Sequence, residues 1–82
     1  MKSLKIICCG AAQQWIGAAE LDWTLQADDN VDAVLDHLAQ RYPAFAEHRK
    51  TTAAACGERL LGGSEDAAGL PELALIPPVS GG

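Results

Sequence analysis

Residues 3–9 place Leu4, Ile6 and Cys8 on one parity and Ile7 and Cys9 on the other. Successive side chains of a strand point to opposite faces, so this pattern predicts a strand with the first set turned into the core. Gly10 to Gly17 is Ala- and Gln-rich between two glycines, which predicts one or two helical turns closed by Gly17 and seated by Trp15 and Ile16. Glu20 to Gln26 alternates polar and apolar residues without a break, a half-buried strand expected to pair with the first. Val31, Val34, Leu35 and Leu38 then fall at i, i+3, i+4 and i+7. Asn30 stands ready to cap this helix, Asp28, Asp29 and Asp32 complement its positive end, and Pro43 ends it. His37 and Arg41 lie near its C-terminal end, where a cation is favoured.

From Ala44 to Leu61 the periodicity fades. A short strand is expected within Thr52–Cys56, a turn at Gly57-Glu58, and a weak strand or turn at Arg59-Leu60-Leu61. Gly62 to Asp66 reads as a loop, and Glu72-Leu73-Ala74-Leu75-Ile76 as an apolar strand. Pro77 and Pro78 lack N–H groups and must stop it. Strands on both sides of one amphipathic helix predict an α+β domain with that helix across one face of a mixed sheet. If Leu73 and Leu75 join Leu4, Ile6 and Cys8 in the core, then Ile7, Cys9, Ala74 and Ile76 form an apolar strip on the other face, a candidate docking patch.

With 82 residues, 49% of them apolar, the chain has enough for one small core and too little for a deep enclosed substrate pocket. This argues against an enzyme acting alone. Eleven acidic residues against six basic ones give a net charge of −5, and the six are scattered, so no stripe exists to track nucleic-acid phosphates. Three cysteines, two of them adjacent, do not make the even framework of a small secreted domain. Lys5 interrupts the N-terminal apolar run, and no stretch approaches the ~20 apolar residues of a membrane span. A cytoplasmic protein without membrane attachment is expected. Cys8, Cys9, Cys56, His37 and His48 lack the paired spacing of a metal site, so no metal is expected. Cys9 reads as a small apolar filler, and Trp15 and Trp23 as core anchors.

After the two prolines come Val79, Ser80, Gly81 and Gly82. Two terminal glycines have no side chains and can be threaded in extended form into a narrow channel, presenting the Gly82 carboxylate on a slim arm. The run Ala74-Leu75-Ile76-Pro77-Pro78-Val79-Ser80-Gly81-Gly82 resembles the ending of the small subunits of molybdopterin synthase, within the MoaD/ThiS group of ubiquitin-like sulfur carriers. The order of the first strand, the short helix ending at Gly17, the amphipathic helix from Val31 to Tyr42 and the total length are also similar. The chain departs from the family pattern at Cys8, Cys9, Gln13, Ala54 to Cys56, and Gly69 to Glu72.

The resemblance implies a β-grasp, ubiquitin-like domain over residues 1–76 and a flexible tail over 77–82. It implies that a ubiquitin-activating-like enzyme adenylates Gly82 with ATP and that a sulfur donor protein converts it to a thiocarboxylate. Pro77, Pro78, Val79, Ser80 and Gly81 would thread into the large synthase subunit, where the sulfur builds the dithiolene of molybdopterin. The chain would then be the sulfur-donor subunit of an enzyme complex, with no bound cofactor of its own. The alternatives are a carrier for thiamine or another thiocarboxylate route, a ubiquitin-like modifier joined through Gly82 to lysines, and a plain binding module.

Overall fold

The computed structural model describes residues 2–78. Strand β1 (Lys2–Cys8) buries Leu4, Ile6 and Cys8, the parity expected from the alternation. Helix α1 (Ala12–Ile16) rests on the core through Ala12 and Ile16, with Trp15 half-buried. It is closed by Gly17, whose φ of 89° lies in the left-handed region and whose N–H donates to the Gln13 carbonyl at 2.7 Å. Strand β2 (Glu20–Leu25) returns antiparallel to β1, with Ile6 opposite Leu21 and Leu4 opposite Trp23.

Helix α2 (Val31–Arg41) buries Val31, Val34, Leu35 and Leu38 against the sheet. The Asn30 side chain accepts the Ala33 N–H at 2.8 Å, as a cap should. Loop carbonyls supply the other acceptors: the N–H groups of Val31 and Asp32 donate to Glu65 and Gly63, each at 2.9 Å. Of the three acidic residues expected to serve the helix end, only Asp32 sits in its first turn. Asp29 is buried and accepts the Gln26 N–H at 3.0 Å, so it braces the preceding turn, which Asp28 enters with a positive φ of 67°.

The stretch after Pro43, which shows no clear period, is helical. Helix α3 (Pro43–Ala46) begins on Pro43, and a 3-10 turn follows at Arg49–Thr51. Four residues make little more than one turn, too short to display a 3.6-residue repeat. Its one large apolar side chain is Phe45, which is fully buried with Trp15 beside it at 6.3 Å between ring centroids. His48 stacks on the outer face of this cluster, 4.1 Å from the Trp15 ring and nearly parallel to it. Arg49 ties the 3-10 turn back to α2 through Asp32 at 3.2 Å and Asp36 at 3.1 Å.

Strands β3 (Ala53–Cys56), β4 (Arg59–Leu60) and β5 (Glu72–Ile76) complete a five-stranded sheet in the order β2-β1-β5-β3-β4. The central pair, β1 and β5, is parallel, and the other pairings are antiparallel. The sheet is therefore mixed, with α2 across one face and the core between them.

Candidate functional site

The face of the sheet turned away from α2 is divided into an apolar and a charged half by strand register. Ile7 stands opposite Ala74 on β5, Ala74 opposite Ala55 on β3, and Ala55 opposite Leu60 on β4. These side chains share one face, so the row crosses four strands as an apolar band. One step further along, Ile76 faces Ala53. Cys9, just past the end of β1, donates its N–H to the Leu75 carbonyl at 3.2 Å and lies beside the end of β5. Leu60 is 69% exposed and Ile76 37%, the two large apolar side chains among the described residues that stand furthest into solvent. Burying such groups against a partner is favourable because it removes apolar surface from water.

At the opposite end of the same face, Lys5 lies between Asp22 and Glu72 in the register and pairs with Glu20 at 3.8 Å. The apolar half is thus the half from which the chain leaves. Pro77 is half-buried and Pro78 exposed, directly after Ile76. Val79, Ser80, Gly81 and Gly82 lie outside the described residues, and with them the expected threading arm and its carboxylate.

Ile7, Ala74 and Ile76 lie on this face with Cys9 beside them, as expected from their parity. Parity alone missed Leu60, Ala53 and Ala55. The pair Leu60-Leu61 carried a signal, because adjacent residues of a strand face opposite ways and one of them had to point outwards. Leu61 is the inner one: its N–H donates to Ala54 at 2.9 Å and its side chain packs on the core. The short β4 is held in place by Glu65, which accepts from Gly62 N–H at 2.6 Å and from Arg59 at 2.7 Å. These two bonds, that from Gly62 first, hold the Glu65 carboxyl below its ordinary range, and the Glu65 carboxylate raises the Arg59 guanidinium.

The three cysteines are free thiols. Burial, with a smaller contribution from Cys9, pushes the Cys8 thiol up, which suits a core filler and not a nucleophile. Among the described residues no group of three or more His, Cys, Asp or Glu side chains is placed to hold a metal ion. No described helix is long and apolar enough to cross a membrane.

A mixed five-stranded sheet grasping one main helix, with an apolar band running to the end of its last strand, defines a ubiquitin-like β-grasp protein. The structure of small archaeal modifier protein 1 from Haloferax volcanii superposes with a TM-score of 0.79, covering 99% of this chain and all of that one at 26% identity. A curated homologue, the molybdopterin synthase sulfur carrier subunit of Arabidopsis thaliana, is 28% identical over 79 residues, spanning 96% of this chain and 82% of that protein. A Pyrococcus furiosus protein provisionally assigned as molybdopterin converting factor subunit 1 gives a TM-score of 0.83 over 96% of this chain, a likeness of fold at 17% identity. No family model matches the chain.

Proposed function

We propose that this protein is the sulfur-carrying small subunit of a molybdopterin synthase. The observation that carries the reading is the likeness, over nearly the whole chain, to a sulfur carrier subunit of that enzyme. The apolar band at the exit of the chain, followed by Pro77-Pro78-Val79-Ser80-Gly81-Gly82, supports it.

A carboxylate is a poor acyl donor to sulfur, because its leaving group would be oxide. Adenylation of Gly82 by a ubiquitin-activating-like enzyme joins the carboxylate oxygen to the α-phosphate of ATP and releases pyrophosphate. Attack at the acyl carbon by the outer sulfur of a donor-protein persulfide then expels AMP and gives an acyl disulfide. A thiol attacks the donor-side sulfur of that bond, forms a disulfide with the donor and releases the thiocarboxylate, with sulfur where one carboxylate oxygen had been. The thiocarboxylate sulfur is the nucleophile in the next step, attack on a pterin precursor held by the large synthase subunit. The pterin pocket and its acid–base groups belong to that partner. The small subunit contributes the arm, the sulfur and a docking face made of Ile7, Cys9, Ala74, Ile76 and Leu60. Leu60 is included because, among the described residues, it is the most exposed large apolar side chain on the same face.

The test is the intact mass of the protein after incubation with its host's adenylating enzyme, ATP and a sulfur donor. The expected gain equals the exchange of one oxygen for one sulfur, absent without ATP and absent when Gly82 is deleted. Adding the large subunit and the pterin precursor should reverse the gain. A mass that never changes while a known carrier gains sulfur in the same reaction overturns the proposal.

The likeness to small archaeal modifier protein 1 favours a second reading, a modifier joined through Gly82 to lysines of other proteins. Conjugates of higher mass, seen in cells and lost when Gly82 is deleted, would distinguish it.

A further inference from the structure

Strand β2 is the first in the sheet order, and among the described residues no strand pairs with its outer side. The Cys8 N–H donates to the Ala19 carbonyl at 2.8 Å, and bonded pairs alternate along an antiparallel ladder. Leu21 and Trp23 therefore exchange their backbone bonds with Ile6 and Leu4, which turns the N–H and C=O groups of Asp22 and Thr24 outwards. Sheet edges are ordinarily blunted by proline, by charged side chains or by a bulge. Glu20–Leu25 has no proline, and its register with β1 runs without a break. Its only charges, Glu20 and Asp22, are both acidic, so they repel a like-charged strand and leave the edge open to a basic one.

The two faces beside this edge differ in chemistry. On the helix side, half-buried Leu21 and Trp23 continue into Tyr42 and Arg41 at the end of α2, lining an open groove of about 450 Å³. The Arg41 guanidinium carbon lies 5.8 Å from the centre of the Tyr42 ring. On the other side, Glu20 and Asp22 are exposed. Glu20 pairs with Lys5 at 3.8 Å, and Asp22, opposite Lys5 in the register, makes no ion pair among the described residues, so on this face β1 and β2 carry two acids to one base.

We propose that the β2 edge docks an extended segment of a partner protein in which apolar residues alternate with lysine or arginine. The segment adds as a sixth strand and takes its backbone bonds from Asp22 and Thr24. A residue opposite Asp22 lies on the acidic face, and a residue opposite Trp23 lies over the groove, so the alternation of the segment follows from the pleat. Charge selects against a second copy of this chain, because pairing β2 with itself puts Glu20 and Asp22 of both copies on one continuous face. The edge is separate from the apolar band and from Gly82, so the proposal stands apart from the sulfur-carrier reading.

The probe is an acetylated, amidated hexapeptide of alternating valine and lysine, titrated into the isotope-labelled full chain and followed by amide shifts and hydrogen exchange. Expected are shifts at Asp22, Thr24 and the Trp23 indole, slowed exchange of the Asp22 and Thr24 amides, and weaker binding at high salt. Asp22→Lys should weaken binding by about fivefold or more, and a valine–glutamate peptide should bind at least about tenfold more weakly. Should Asp22→Lys fail to fold, Asp22→Asn reads the same loss with a smaller amplitude. N-methylation of the peptide residue whose N–H faces β2 should abolish binding. The proposal is overturned by no binding at millimolar peptide, by equal binding of the glutamate peptide, or by shifts confined to Ile7, Ala74 and Leu60. A dimer in sedimentation whose amide protection maps to β2 would likewise overturn it, by giving the edge to a second copy.

Discussion

Leu60→Ala and Leu73→Ala remove the same atoms from two strands of one sheet, and the structure assigns them opposite consequences. Leu73 is fully buried beneath α2. Truncating a buried leucine loses its transfer free energy and leaves a cavity, a cost of about 2–5 kcal/mol. A domain of 82 residues has a total stability of about 4–12 kcal/mol, so Leu73→Ala should be strongly destabilised or unfolded. Leu60 is 69% exposed, so its truncation should change stability by no more than about 0.5 kcal/mol. Its effect should appear on docking. Full burial of a leucine is worth about 1.5–3 kcal/mol, and some two-thirds of the side chain is still available to be covered, which gives about 1–2 kcal/mol. That corresponds to a dissociation constant about five to thirty times weaker. Urea unfolding followed by circular dichroism measures the first quantity, and titration calorimetry against the proposed partner, a large molybdopterin synthase subunit, measures the second. The reasoning fails if Leu60→Ala unfolds like Leu73→Ala, or if it folds normally and binds the large subunit as tightly as the parent chain does.

Three other outcomes follow from the packing and the electrostatics. Phe45→Ala should cost about 3–5 kcal/mol and Phe45→Leu less than half of that, read as urea midpoints, because Phe45 is the buried anchor of α3. Asn30→Ala should cost about 1 kcal/mol by thermal or urea unfolding while Asn30→Asp is nearly neutral, since either side-chain oxygen can accept the Ala33 N–H. The Glu65 carboxyl is held low in the folded chain, so its bonds to Gly62 and Arg59 persist above the ordinary glutamate range and are lost as pH falls through the depressed value. The Gly62 amide shift should titrate with a midpoint below that of an unperturbed glutamate, and Arg59→Gln should move the midpoint upwards.

Local elements were legible wherever a short-range rule governs them. Parity buried Leu4, Ile6 and Cys8 together with Leu73 and Leu75, and the opposite parity exposed Ile76. Helical spacing, the Asn30 cap and the Gly17 stop placed α1 and α2 within a residue or two. Phe45 was not legible as core, because one aromatic residue in a four-residue helix carries no repeat. Its burial depends on α1 and α3 meeting, a contact between segments some 30 residues apart in the chain. Leu60 was half legible: the Leu60-Leu61 pair required one outward residue, and only the pairing of β4 with β3 decided which.

What the chain determined by itself, then, is strands β1, β2, β3 and β5, helices α1 and α2, the face each of these buries and the halt at Pro77, since these follow from side-chain periodicity and from backbone conformations fixed within a few residues. Only the tertiary structure decided that β1 and β5 pair in parallel at the centre and that β2 is left as an open edge. It alone decided that Ile7, Ala74, Ala55 and Leu60 fall in one row leading to the exit of the chain. Strand neighbours and register are set by which pairing best covers the shared core beneath α2. That comparison is made over the whole domain, and local periodicity, which is the same whichever strand lies alongside, does not record it.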